Sequence, residues 1–288
     1  GQILSGRYWP GEYSTFQVRD PKPRQICAAP FHDRVVFHAV CNVLEPLFER
    51  RLIFDSWACR RGKGSHAAIK RAQYFSRRHE YFLQGDVHKY FDSIDHASLK
   101  ILLRRIIKDK RLLALLDRII NHAPPGLPPG KGLPIGNLTS QHFANLYLGE
   151  LDHFIKEVLH VRGYVRYMDD ILLFADNKPT LHNAFAELKQ FLAARLQLAL
   201  KNENVIPTPV SEGIPFLGFR IFPAMIRLDR RTLRRFRRRF RHHEQEYLQG
   251  DLDADQLNSS VTAMFAHIDH GDTFRLRRKI IQDSLFVG

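Results

Sequence analysis

The sequence is poor in the residues that build covalent or soft-metal frameworks. Its three cysteines, Cys27, Cys41 and Cys59, are widely spaced and form no C-x-x-C pair. That argues against a disulfide scaffold and a structural zinc site, and it fits a reducing compartment. No apolar run reaches the ~18 residues that a membrane span needs, so no membrane partner is expected. Acid is also in short supply: 30 Asp and Glu stand against 44 Lys and Arg, leaving a formal net charge of +14. Such an excess favours polyanionic partners, because each neutralised phosphate releases a counterion. The opening Gly1-Gln2-Ile3-Leu4 lacks a charged n-region and an apolar h-region. No secretory signal is therefore read, and a cytoplasmic location is expected. A first residue of Gly rather than Met reads as a trimmed start. The 15 histidines are scattered, and His242-His243 lie in an Arg-rich stretch that reads as basic surface. Metal chemistry is accordingly expected on carboxylates.

What is present is enough apolar sequence, 44% of 288 residues, for a substantial core. There is no internal repeat and no low-complexity linker, so one multi-lobed unit is expected. Residues 1–30 read as loops with short extended pieces. Apolar residues recur at helical spacing between Phe31 and Phe54. Tyr81 to Val87 reads as a buried strand carrying Asp86 near its end. The pattern predicts one helix from Leu99 to Ile120, ended by the Pro124-Pro125-Gly126 run, and another from about Ser140 to Val158. Tyr164 to Phe174 reads as a β-hairpin with Asp169-Asp170 at its turn. Leu181, Phe185, Leu188 and Leu192 mark a further amphipathic helix, and Phe216 to Phe222 reads as a strand with a mid-strand Gly. From Arg227 to His243 the chain is strongly basic around one apolar stripe of Leu233, Phe236 and Phe240, which places the start of a small C-terminal lobe. Strands and helices alternate without a regular βαβ rhythm, so the class is α+β.

Asp169 and Asp170 are adjacent acids in an otherwise hydrophobic hairpin. Two like charges near a core repel unless a cation sits between them. Mg²⁺ suits such a place, since it takes oxygen ligands and keeps positions open for phosphate oxygens. A phosphoryl-transfer site needs a second strand-borne carboxylate, to hold two ions roughly 3.5–4 Å apart, and Asp86 is the obvious supplier. Taken alone, an Asp-Asp pair reads as a solvated turn. Asp92 and Asp95 read as a turn and a helix N-cap.

The motifs then occur as an ordered set. Tyr167-Met168-Asp169-Asp170 resembles the Tyr-x-Asp-Asp box of reverse transcriptases. Asp86-Val87-His88-Lys89-Tyr90-Phe91 resembles the family's first palm box, and Gly132-Leu133-Pro134-Ile135-Gly136-Asn137-Leu138-Thr139-Ser140-Gln141 the box between the two. The resemblance runs from Arg24 to the Phe216-Leu217-Gly218 region. It implies a right-hand polymerase, with fingers in residues 1–80 and 97–140, palm in 81–96 and 141–222, and thumb in 223–288.

The same resemblance implies roles. Asp86 and Asp169 would bind two Mg²⁺ ions (Mn²⁺ as a substitute), with Asp170 supporting one and the Val87 carbonyl as a further ligand. Phe91 would be the steric gate that selects deoxynucleotides; without the motif it reads as a core aromatic. Arg24, in Pro21-Lys22-Pro23-Arg24, would hold the incoming triphosphate, as a multi-donor guanidinium can. Ile135 and Gln141 complete the nucleotide-binding set. Arg34 is a weaker nucleic-acid contact, with an ion pair to Asp33 as the alternative. Lys63, in Arg60-Arg61-Gly62-Lys63-Gly64, would approach the template, with a solvated basic loop as the alternative. Phe216, Leu217 and Gly218 would form the primer grip. Beyond them Arg234, Arg235, Arg238 and Arg239, in a run of eight arginines between Arg230 and Arg241, would lie against an A-like hybrid. A charge run is usually a solvated face, but like charges this dense repel and a phosphate backbone relieves them.

The middle box departs from the form usual in retroviral and group II intron enzymes, which carry Gln before the Gly and Ser-Pro at its end. Ile135-Gly136 and Ser140-Gln141 are instead similar to the reverse transcriptases of diversity-generating retroelements. That resemblance implies an error-prone copy of a template RNA from a primer and dNTPs, with misinsertion opposite adenine. It also implies a small basic accessory protein that forms a pentamer, and a bacterial or phage origin. A group II intron-like or phage-defence enzyme is one alternative, and a non-catalytic RNA-binding protein on a polymerase fold is another.

Overall fold

The computed structural model describes residues 2–3, 5–19, 23–122 and 126–284. Pro21 and Lys22 of the Arg24 motif, and the Pro124-Pro125 breaker, lie outside the described residues. An antiparallel hairpin opens the fold, with β1 (Ser14–Arg19) paired to β2 (Pro23–Ala28). Helices α1 (Phe31–Glu49) and α2 (Ser65–Ser76) follow. Next come β3 (Tyr81–Asp86), a single turn α3 (Tyr90–Ser93), α4 (His96–Ile106) and α5 (Lys110–Asn121). Helix α6 (Leu138–His153) runs into a π-helical turn at Phe154–Val158 and leads to the hairpin β4 (Gly163–Tyr167) and β5 (Asp170–Ala175). Helix α7 (Lys178–Leu196) and the two-residue β6 (Thr208–Pro209) complete this part. A three-stranded sheet of β7 (Ile214–Phe216), β8 (Phe219–Ile221) and β9 (Ile226–Leu228) then carries the chain to α8 (Arg230–Leu248), α9 (Ala254–Ile268) and α10 (Phe274–Gln282).

The central sheet has the order β4-β5-β3-β6, with its paired strands antiparallel. One cluster joins it to α1, α4, α5, α6 and α7, through residues such as Leu44, Leu99, Leu116, Tyr147, Leu173 and Leu188. A second joins the sheet to α2 and the β7-β8-β9 sheet through Ile69, Phe75, Val165, Leu172, Phe216 and Phe219. Alternation along β5 explains this division, since Ile171 and Leu173 go to one cluster and Leu172 and Phe174 to the other. The C-terminal helices have a small core of their own, Phe236, Phe240, Met264, Ile268 and Ile280.

Two elements differ from the sequence reading. The helix expected over Leu99–Ile120 is two helices. Ile107 is extended, and the Asp109 side chain accepts from the Leu112 amide to cap a new helix. The strand expected over Phe216–Phe222 is a hairpin: Leu217 and Gly218 both have positive φ (49° and 83°) and turn β7 into β8. The Asp95 N-cap is present, with its side chain accepting from the Ser98 amide at 2.8 Å.

Candidate active site

Strand β3 ends on Asp86, and the β3–β5 register sets Asp86 directly opposite Asp170. Asp170 also pairs with Tyr167 across the β4–β5 hairpin, so Met168 and Asp169 form its two-residue turn. Met168 takes a left-handed φ of 53°. Burial raises the Asp169 carboxyl above the ordinary carboxylate range, and the Asp86 charge and a hydrogen bond between the two carboxyls raise it further. Its own backbone amide and the Arg24 charge act the other way. Asp86 is also gripped from the chain after α7. The Lys201 amide donates to the Asp86 carbonyl at 2.8 Å, and Lys201 Nζ lies 3.2 Å from Asp86 Oδ2. The His88 amide donates to the Ala199 carbonyl, which pins buried Val87 between two backbone bonds.

This donor set fits Mg²⁺. It is all oxygen, and the contact between Asp86 and Asp169 is costly to both anions unless positive charge joins them. Among the described residues no group of three or more His, Cys, Asp or Glu side chains is assembled to hold an ion by itself. Mg²⁺ accepts such a partial set, because it keeps waters and takes substrate phosphate oxygens.

The other sequence-derived candidates fall into three groups. The first is the nucleotide-binding set of Arg24, Phe91, Ile135 and Gln141. Arg24 is exposed on β2 and close enough for its charge to act on Asp169. Half-buried Phe91 meets Tyr90 edge-on and accepts at its carbonyl from the Leu133 amide, tying the first box to the middle one. The Ile135 carbonyl accepts from the Cys27 amide at 2.8 Å, tying the middle box to β2. Gly136 is required there: its φ is +118°, and a Cβ would lie 2.9 Å from Ile26 Cγ2. Gln141 Oε1 accepts from the Cys59 thiol at 3.4 Å.

The second is the β7–β8 hairpin and α8: Phe216 is buried at the end of β7, and the Gly218 carbonyl accepts from the Asp229 amide at the start of α8. On α8, Arg234, Arg238 and Arg239 are exposed and Arg235 half-buried. With Arg19 of β1 they line an open cavity of about 880 Å³.

The third is Lys63 and Arg34. Lys63 is half-buried, donates to the Phe54 carbonyl and sits over the Phe54 and Trp57 rings, 3.8 and 4.1 Å from their centroids. Its ammonium is thus engaged by its own loop. Arg34 does not make the alternative ion pair with Asp33. That buried carboxylate accepts from Tyr8 Oη at 2.6 Å and the Gly11 amide at 2.7 Å, while exposed Arg34 lies beside the Phe31 ring. Sequence reasoning missed Lys201 and the buried pair Arg166–Asp152. The second had a signal, since an arginine within the apolar strand Gly163–Tyr167 must find a partner.

Paired acids at a hairpin turn, facing a third on the adjacent strand, define together with this fold a polymerase of the right-hand class. Residues 18–221 match the family model described as reverse transcriptase (RNA-dependent DNA polymerase). The chain belongs to the reverse transcriptase family, and so to the RNA-directed DNA polymerases, which are nucleotidyltransferases. Protein YkfC of Escherichia coli (strain K12) is 25% identical over an alignment covering 76% of this chain and 69% of YkfC. The group II intron-encoded protein LtrA of Lactococcus lactis subsp. cremoris is 27% identical, over 76% of this chain and 48% of LtrA. The chain therefore spans about half the length of that intron protein. Among solved structures, a telomerase from Candida albicans in complex with a telomeric RNA fragment superposes with a TM-score of 0.59. The match has 11% identity and covers 99% of this chain and 57% of the telomerase. Apo telomerase from Candida tropicalis, truncated of its C-terminal domain, gives 0.55 at 14% identity, over 76% of this chain and 55% of that truncated chain. At such identities the likeness establishes the right-hand fold. No helix among the described residues is long and apolar enough to cross a membrane.

Proposed function

We propose that this chain synthesises cDNA on an RNA template from a primer and dNTPs, as the adenine-mutagenic reverse transcriptase of a diversity-generating retroelement. The observation that supports the catalytic part is the register that sets Asp170 opposite Asp86 on the neighbouring strand, with Asp169 in the adjoining hairpin turn. Asp86 and Asp169 would hold two Mg²⁺ ions, or Mn²⁺ in their place, with Asp170 and the Val87 carbonyl as further ligands. When bound, the ions lower the pKa of the primer 3′-hydroxyl and neutralise charge as pyrophosphate leaves. Arg24 orients the triphosphate, and Phe91 occupies the space of a ribose 2′-hydroxyl. The hairpin at Phe216, Leu217 and Gly218 seats the primer terminus. The α8 arginines Arg234, Arg235, Arg238 and Arg239 follow the hybrid backbone. In this assignment residues 1–80 and 97–140 are fingers, 81–96 and 141–222 palm, and 223–288 thumb. Lys63, from the loop it is bonded to, and exposed Arg34, both in the fingers, would contact the nucleic acid.

Ile135 carries the subgroup reading. A Gln in its place can hydrogen-bond near the nucleotide sugar and a branched apolar side chain cannot, so the correct nucleotide loses an enforcing contact. A small basic pentameric accessory protein is the expected partner, in a bacterial or phage-encoded, cytoplasmic system. The similarity to LtrA favours a second reading, an intron-like enzyme that copies faithfully. Sequenced primer extension on a defined RNA template, with Mg²⁺ and four dNTPs, separates them. Errors concentrated opposite template adenines support the retroelement enzyme, with or without a candidate accessory protein, and uniform fidelity supports the intron-like one.

A further inference from the structure

Arg166 sits on β4 three residues before Asp169, and its side chain is entirely buried. Nε and Nη2 fork onto the equally buried Asp152 of α6, at 2.6 Å each. Nη2 also reaches Ser56 Oγ at 3.0 Å and the Asn145 carbonyl at 3.2 Å. Nη1 donates to Asn145 Oδ1 at 3.0 Å and to the Met168 carbonyl at 3.2 Å. Asp152 is completed by Tyr164 Oη at 2.6 Å. The backbone of Arg166 is clamped as well: its amide donates to the Asp55 carbonyl, and its carbonyl accepts from the Trp57 amide. One guanidinium therefore joins β4, α6 and the segment before α2 to the carbonyl of the residue that precedes Asp169.

Stability alone does not account for this pair. Desolvating two charges is costly, and a well-packed apolar replacement is commonly as stable or more so. Nor does Arg166 act by its field on the acids, since Asp152 neutralises it at close range. What the pair offers the turn is direction. Met168 stands at a left-handed φ of 53°, a conformation that surrounding structure must impose on a residue with a side chain. The Arg166 donor fixes the carbonyl end of that residue.

We infer that Arg166, oriented by Asp152, is a positioning residue that sets the Met168–Asp169 turn and thereby the aim of the Asp169 carboxylate. This rests on the polymerase reading above. Outer partners that orient metal-binding groups typically change affinity or activity by about 10–100-fold when replaced.

The test compares the full-length wild type with two variants, each bound to RNA template, dideoxy-terminated primer and incoming dNTP. Mn²⁺ affinity is read by electron paramagnetic resonance, thermal unfolding is measured in parallel, and kcat and KM for dNTP are taken with an extendable primer. Arg166→Lys keeps a charge for Asp152 but not the fork. It is expected to weaken Mn²⁺ binding or kcat by about 10–100-fold, with KM for dNTP and primer–template affinity unchanged. Arg166→Met/Asp152→Leu/Tyr164→Phe replaces the network by apolar groups, and is read in its own right should Arg166→Lys fail to fold. It is expected to keep the melting temperature and still lose Mn²⁺ affinity and kcat. Wild-type Mn²⁺ affinity and kcat in either folded variant would reduce the pair to a structural one and overturn the inference. A wild type that folds and extends no primer fails the polymerase reading itself, a result separate from any difference between variants.

Discussion

Lys201 holds Asp86 twice, through its backbone amide on the Asp86 carbonyl and through its ammonium 3.2 Å from Asp86 Oδ2. The two side chains are about half and one third exposed, at 45% and 33%, so solvent screens the pair. An exposed pair of this kind contributes about 0.2–1 kcal/mol. Because the ammonium competes with a cation for the same carboxylate, Lys201→Met is expected to lower the half-saturating Mg²⁺ concentration by up to about five-fold. Metal titration of initial primer-extension rate measures it, and an unchanged or higher requirement would contradict the competition.

The Leu217-Gly218 turn yields a prediction in which stability and activity separate. Leu217 has a φ of 49°, a left-handed conformation that costs a residue with a Cβ about 1–2 kcal/mol. Asn-Gly is the preferred pair for a turn with two positive φ angles. Leu217 also packs partly on the second core cluster, so some of that gain is offset. Leu217→Asn is expected to hold stability or raise it by up to about 1 kcal/mol, while extension from a matched primer falls. Extension at the wild-type rate would show that the Leu217 side chain does not seat the primer.

A histidine cluster joins α2 to the C-terminal lobe. The His66 ring stacks on His270 with centroids 3.3 Å apart and lies 6.1 Å from His267. Burial lowers the pKa of His66 and His267 below the ordinary 6.5, and His270 lowers both further; Lys70 adds to the effect at His66 and Arg235 at His267. In the unfolded chain these rings take up protons more readily than in the fold. Their stability contribution is therefore present above pH ~6.5 and lost as pH falls through the lower folded values. The melting temperature is expected to drop between pH 7 and pH 5 (about two units spanning the reference value), and His66→Phe to flatten that drop. His96 and His142, also lowered by burial, keep part of it. An acid limb identical in wild type and His66→Phe would contradict the assignment.

Much of the site was legible because its residues are local in sequence. The apolar runs on both sides of Asp169-Asp170 define the hairpin, and Asp95 caps its helix as its position before His96 implies. Two-ion chemistry and the resemblance both point to Asp86, but the β3–β5 register that sets it opposite Asp170 was not legible, since 84 residues separate them and no local pattern encodes the pairing. What stayed hidden was tertiary. Lys201 reads as a polar residue after a helix, and only the fold brings it to Asp86. Asp152 reads as one more polar position on α6 until Arg166 is found against it. The α4–α5 break and the Leu217-Gly218 turn each had a local signal that the apolar pattern on either side outweighed: Lys108-Asp109-Lys110-Arg111 interrupts the first and Gly218 the second. A single Asp cap in one case and a strained Leu in the other carry the change of direction.

The central claim is that Asp86 and the Asp169-Asp170 pair make this chain an RNA-templated DNA polymerase. Incorporation of a single dNMP onto a primer annealed to RNA, with Mg²⁺, tests it most directly when the wild type is run beside Asp86→Asn and Asp169→Ala/Asp170→Ala. The account predicts incorporation by the wild type and none by either variant, with primer–template binding retained in all three. Incorporation surviving in the variants, or binding without incorporation in the wild type, would contradict it.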